Sequence, residues 1–102
     1  MDPLSANIDQ IRLLCDKYHV TALYAFGSVT RGELKPESDI DLMVEIQNDN
    51  PVAYSDDYFA LKFQLEGLFN RSVDLLEVKA LKNPYLIDRL KDTRVLLYAK
   101  GS

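Results

Sequence analysis

Two β-prone apolar runs, residues 21–26 and 39–46, are separated by one short loop. That link carries Gly27, Gly32 and Pro36 and is too short for a full helical crossover. The runs are therefore expected to belong to a mixed sheet rather than a wholly parallel one. The second run alternates: Ile40, Leu42, Val44 and Ile46 point one way, and Asp39, Asp41, Met43 and Glu45 the other. It reads as a strand with an apolar core face and a mostly polar outer face.

The remaining elements fit around these two. Leu4, Ile8, Ile11, Cys15 and Tyr18 recur at helical spacing behind Asp2-Pro3, a capping carboxylate and a first-turn proline, so a helix is expected to run to about His19. Cys15 on its apolar stripe reads as an inert buried thiol. His19, the only histidine, reads as a structural residue at the helix C-terminus, where a partly cationic ring suits the dipole. Residues 53–70 place Tyr54, Tyr58, Leu61, Leu65 and Leu68 on one stripe, with Asp56 and Asp57 in the expected first turn. A third strand over residues 72–78 carries Asp74. Asn83-Pro84 opens a short helix to about Lys91, and residues 95–98 form a last strand. The expected fold class is α/β, a small mixed sheet packed with helices.

With 102 residues the chain is expected to be one domain, residues 1–102. Its net charge of −4 argues against direct nucleic-acid binding, which needs a basic face to track phosphates. A nucleotide substrate stays open, because metal ions can supply positive charge. One cysteine allows neither an intrachain disulfide nor a cysteine-based zinc cage. No apolar run spans a bilayer and the N-terminus lacks a signal core, so a cytoplasmic protein is expected. Oligomeric state is not readable.

An Asp-x-Asp pair alone is a weak signal, since any strand with one wet face can produce it. Here Asp39 and Asp41 share a face at ~6.6 Å Cα separation, and aspartate is a poor strand former. Asp74 lies in a separate β-prone run able to pair beside them. Like charges brought together resist ionisation unless cations neutralise them. All-oxygen clusters suit hard cations, and Mg²⁺ favours a few carboxylates plus phosphate oxygens. Two ions ~3.5–4 Å apart would clamp both oxygens of an in-line phosphoryl displacement. Upstream, Gly27 lets backbone approach a ligand, and the N–H groups after it, with the Ser28 hydroxyl, would face an anion. Taken alone, Gly27-Ser28 is an ordinary turn.

Gly27-Ser28, ten intervening residues, Asp39-Ile40-Asp41 and a later Asp74 together resemble the active-site signature of the polymerase-β-type nucleotidyltransferase superfamily. The fuller wording, Gly-Ser-Val-Thr-Arg-Gly-Glu and then Ser-Asp-Ile-Asp-Leu-Met-Val-Glu, is similar to its smallest members, the minimal nucleotidyltransferases of the MntA antitoxin kind. The likeness extends over nearly the whole chain, including Val-Asp-Leu-Leu-Glu and Lys-Asn-Pro-Tyr-Leu. It implies that fold, with Asp39, Asp41 and Asp74 as catalytic metal-binding residues, Asp74 serving as ligand or proton acceptor. Gly27 and Ser28 would cradle the β/γ-phosphates of a nucleoside triphosphate. Arg31 matches a family position as a phosphate partner, with a loop ion pair to Glu33 or Glu37 as the equal alternative. Lys62 and Lys79 read as solvated residues. Glu45 lies farther along the Asp face, and Tyr54 and Tyr58 read as core packing rather than base stacking.

The resemblance implies a Mg²⁺-dependent adenylyltransferase antitoxin with two ions and ATP as substrate. It would transfer AMP to a hydroxyl side chain, with tyrosine the expected one, of a cognate HEPN-type ribonuclease toxin. About a hundred residues leave little room for an acceptor domain, so a second molecule would bring the acceptor. Two alternatives remain open: a non-catalytic antitoxin that occludes its toxin, and transfer to a small molecule such as an aminoglycoside.

Overall fold

The computed structural model describes residues 3–27, 30 and 38–101. Four strands form one sheet: β1 (Val20–Phe26), β2 (Ile40–Ile46), β3 (Val73–Glu77) and β4 (Val95–Ala99), in the order β3-β2-β1-β4. The central pair β1 and β2 is antiparallel, β4 adds antiparallel to β1, and β3 adds parallel to β2. The sheet is mixed, as the short β1–β2 link requires.

The helices are α1 (Pro3–Ala6), α2 (Ile8–Lys17), α3 (Pro51–Phe69) and α4 (Pro84–Thr93). The expected first helix is thus two. At Asn7 the side-chain amide donates to the Pro3 carbonyl at 2.8 Å, a local bond that competes with continuing the helix. Beyond α2, His19 takes a left-handed φ of 62°, and its Nδ1 lies 2.9 Å from Asp57 Oδ2. Its role is structural as expected, through this tie to α3 rather than through the helix dipole.

Asn50 caps α3, its Oδ1 accepting from the N–H groups of Val52 (2.9 Å) and Ala53 (3.1 Å), with Pro51 in the first turn. The helix therefore starts earlier than residue 53, and Asp56 and Asp57 fall outside its first turn. Asp57 instead gathers His19 and the Asn48 amide. Asn70 ends the helix in the left-handed conformation at φ 55°. Asn83 and Pro84 start α4 in the same manner as α3.

The main core lies between the sheet and α2–α3. Ile40, Leu42 and Val44 of β2 meet Leu23, Ala25, Ile11, Cys15, Leu61 and Leu65, all inaccessible to solvent. Truncating a side chain such as Leu61 to alanine there costs about 2–5 kcal/mol. Burial pushes the Cys15 thiol up to about 12. One expectation needs correction on the opposite face. Met43 is buried there rather than wet, in a groove walled by Val78, Leu81, Ile87 and Leu90. That groove brings α4 against the lower half of the Asp-bearing face, and Arg94 stacks on the Tyr24 ring at 4.1 Å. Among the described residues no helix is long and apolar enough to cross a membrane.

Candidate active site

What α4 leaves uncovered is the end of that face where β1 stops and β2 and β3 begin. Three backbone facts set its geometry. Phe26 is the register partner of Asp41 across β1–β2, so Gly27 emerges beside the Asp41 side chain. Asp41 is also the partner of Asp74 across the parallel β2–β3 pair. Directly paired residues of neighbouring strands project to the same side, so both carboxylates stand on one face. Asp39, two residues before Asp41, shares it.

Electrostatics agree with the register. Burial first, then the charges of Asp74 and Asp39, hold the Asp41 carboxyl above the usual carboxylate range. Asp41 is half-buried, whereas Asp39 and Asp74 are exposed. The hidden acid thus sits between two solvated ones.

Gly27 completes the wall. Its φ is +79°, which L side chains rarely adopt, and a β-carbon there would stand 2.8 Å from Asp41 Oδ2. The Thr30 hydroxyl donates to the Gly27 carbonyl at 2.7 Å, closing the turn behind it. Only a residue without a side chain leaves this space to the carboxylate. Ser28 and Arg31, the other expected phosphate-binding residues, lie outside the described residues.

A divalent cation fits this donor set. All donors are carboxylate oxygens, and Asp41 carries the charge conflict that a cation would relieve. Among the described residues no three acidic, histidine or cysteine side chains close into a ready metal cage. Mg²⁺ does not require such a cage, since it binds through one or two carboxylates together with phosphate oxygens and water.

Several other candidates take structural places. The Tyr54 hydroxyl donates to Glu77 Oε2 and that of Tyr58 to the Leu75 carbonyl, both at 2.6 Å, while the rings pack on the core. Burial, reinforced by Glu77, raises the Tyr54 phenol. Lys79 lies over the Tyr54 ring at 3.6 Å, near the end of β3 remote from Asp74, so it is engaged rather than merely solvated. Lys62 is half-buried on α3. Glu45 pairs with Ala22, on the Asp face but away from the carboxylate group.

Sequence reasoning missed Arg71. Its Nη1 donates to the Ser38 carbonyl at 3.0 Å, on the residue before Asp39. No periodicity marks it. The only cue is its position just after Asn70, a residue type that commonly ends helices.

The chain belongs to the nucleotidyltransferase family: the nucleotidyltransferase domain model matches residues 8–97. Within that family its likeness is to the minimal enzymes. A solved structure described as a minimal nucleotidyltransferase superposes with a TM-score of 0.77 at 31% identity, covering 93% of this chain and 95% of that one. A proposed protein adenylyltransferase of Methanocaldococcus jannaschii is 43% identical over 75 residues, 74% of each chain. The protein adenylyltransferase MntA of Thermococcus cleftensis is 30% identical over 80 residues, 78% of this chain and 75% of its own. The fold also matches a complex of a tri-AMPylated Shewanella oneidensis HEPN toxin with its MNT antitoxin (TM-score 0.64, 19% identity, 94% of this chain and 72% of that one). The expected polymerase-β-type nucleotidyltransferase fold and enzyme class are thereby established.

Proposed function

We propose that this nucleotidyltransferase moves AMP from ATP onto a hydroxyl side chain, tyrosine in our reading, of a HEPN-type ribonuclease and so silences it. The observation that carries the reading is the register of Asp41 against Asp74, with Asp39 on the same face and Gly27 beside them. The names of the relatives support protein as the acceptor, and the tri-AMPylated complex supports a HEPN partner.

Asp39 and Asp41, with Asp74 as third ligand or as proton acceptor, would hold two Mg²⁺ ions. These ions, when bound, supply charge neutralisation at the reacting phosphate and the departing pyrophosphate. The chain's own contribution is placement. Gly27, followed in sequence by Ser28, presents backbone donors to the β/γ-phosphates, with Arg31 as a further phosphate partner. The acceptor oxygen forms a bond to the α-phosphorus, the bond to the β-phosphate oxygen breaks, and pyrophosphate leaves. The acceptor's proton passes to Asp74 when that residue serves as base. Positioning and preorganised charge account for most of the acceleration in such transfers.

A second reading, neutralisation by occlusion alone, draws on the outer side of α3. Val52, Phe59 and Phe63 are 72%, 64% and 73% exposed along it, an apolar stripe suited to burial under a partner. Incubation of the HEPN partner with α-labelled ATP separates the two. Transfer of label that stops in EDTA and returns with Mg²⁺ supports the enzyme; transfer that persists in chelator, or no transfer at all, contradicts it.

A further inference from the structure

Of the three acidic residues, Asp41 and Asp74 are fixed by the ladder that pairs them. Asp39 is not. It precedes β2, and the ladder begins at Ile40 with Val73, so the sheet holds the peptide after Asp39 but not the one before it.

What holds that backbone comes from the α3–β3 turn. Asn70 reverses the chain at a left-handed φ of 55°, which delivers Arg71 to the start of β2. There Arg71 Nη1 donates to the Ser38 carbonyl at 3.0 Å in a half-buried, charge-assisted bond. One residue on, the Ile40 N–H donates to the Ser72 carbonyl at 3.0 Å. Asp39 is therefore bracketed, its preceding peptide held by Arg71 and its following one by Ser72. The turn is braced in its own right, since Glu66 Oε2 accepts from the Val73 N–H at 3.0 Å.

The geometry points to Arg71 as a positioning residue that aims the Asp39 carboxylate for divalent-cation binding, by fixing the Ser38–Asp39 peptide plane. This rests on the nucleotidyl-transfer reading and adds to it a residue outside the signature stretch. The role assigned to Arg71 runs through the Ser38 backbone carbonyl. Groups that orient metal ligands from behind are worth ~10–100-fold in metal affinity or activity.

The test is binding rather than turnover. Mn²⁺ affinity is measured by water-proton relaxation on the whole chain, with a non-transferable ATP analogue present, for the wild type, Arg71→Met, Arg71→Lys and Glu66→Gln. Methionine keeps an apolar stem without a donor, and lysine keeps a cationic donor without the planar fork. Glu66→Gln trades the charged acceptor of the Val73 N–H for a weaker neutral one, loosening the same turn without touching Ser38. The expected result is about tenfold weaker Mn²⁺ binding for Arg71→Met, partial rescue by Arg71→Lys, and little change for Glu66→Gln. Unchanged affinity in Arg71→Met overturns the proposal. So does equal weakening by Glu66→Gln, or an Arg71→Met chain that does not fold, because Arg71 would then serve the turn or the fold as a whole. A wild type that binds no Mn²⁺ overturns this proposal together with the reading beneath it, whereas a defect in the variants alone bears only on Arg71.

Discussion

Asp41 Oδ2 occupies the space that a side chain on Gly27 would need, 2.8 Å from the position of its missing β-carbon. The Gly of the Gly-Ser turn and the second Asp of the Asp-x-Asp pair are thus one steric unit, although the loop separates them in sequence. Gly27→Ala would meet both a positive φ and that oxygen. The expected cost is about 1–2 kcal/mol from the backbone alone, with the Asp41 carboxylate displaced as well. Thermal melting should fall by several degrees and nucleotide transfer by more than tenfold. A variant that melts and transfers like the wild type would show that the carboxylate is free to move aside.

Asp41 also sets a pH dependence. Its carboxyl is raised in the folded state, by burial first and then by Asp74 and Asp39, so folding favours the protonated form. Its contribution to stability is full below the unfolded carboxylate value, near pH 4, and is lost as pH rises through the folded value. Metal-free protein should therefore lose part of its stability on going from about pH 4 toward neutrality. Asp41→Asn removes this component and should melt higher than the wild type at neutral pH without metal. Mg²⁺ with an ATP analogue should stabilise the wild type and leave Asp41→Asn nearly unmoved. Melting curves over that pH range, with and without Mg²⁺, check both statements.

Asp74→Asn distinguishes the two roles open to that residue. As proton acceptor its loss should lower transfer by about 10²–10⁴-fold while leaving metal–nucleotide binding nearly intact. As a ligand its loss should weaken both. Parallel measurement of Mn²⁺ binding and single-turnover transfer decides between them.

How far the sequence could be read follows from which contacts are local. Asp39 and Asp41 were visible as a same-face pair because strand periodicity is two and their neighbours are apolar. The sheet's mixed character followed from loop length. The end of α3 at Asn70 was legible, but that Asp74 pairs with Asp41, and not with a residue two places along, is a register between strands far apart in sequence, which no local pattern fixes. Alternation places Met43 on the outer face for a similar reason: α4 covers it from far along the chain, and a local pattern cannot see a cover. The break at Asn7 and the turn at His19 each depend on one side-chain or long-range hydrogen bond. Arg71 was illegible because its partner is a backbone carbonyl, which leaves no trace in residue types.

Cys15 offers an independent check on the core. It is inaccessible to solvent, and burial pushes its thiol up to about 12. A thiol in that state is a poor nucleophile at neutral pH. Alkylating reagents should modify it at the rate of unfolding and no faster. Fast labelling of native protein would mean that α2 separates readily from the sheet.

Whether Asp39, Asp41 and Asp74 act as one catalytic group is tested most directly by the intact mass of a HEPN-type partner after incubation with the protein and MgATP. The prediction is a gain of one or more AMP units on the partner, absent when the Asp39→Asn, Asp41→Asn double variant replaces the wild type, with release of ribonuclease activity following the same pattern. An unmodified partner that the double variant still silences would contradict it, and would leave occlusion by a folded surface as the means of neutralisation.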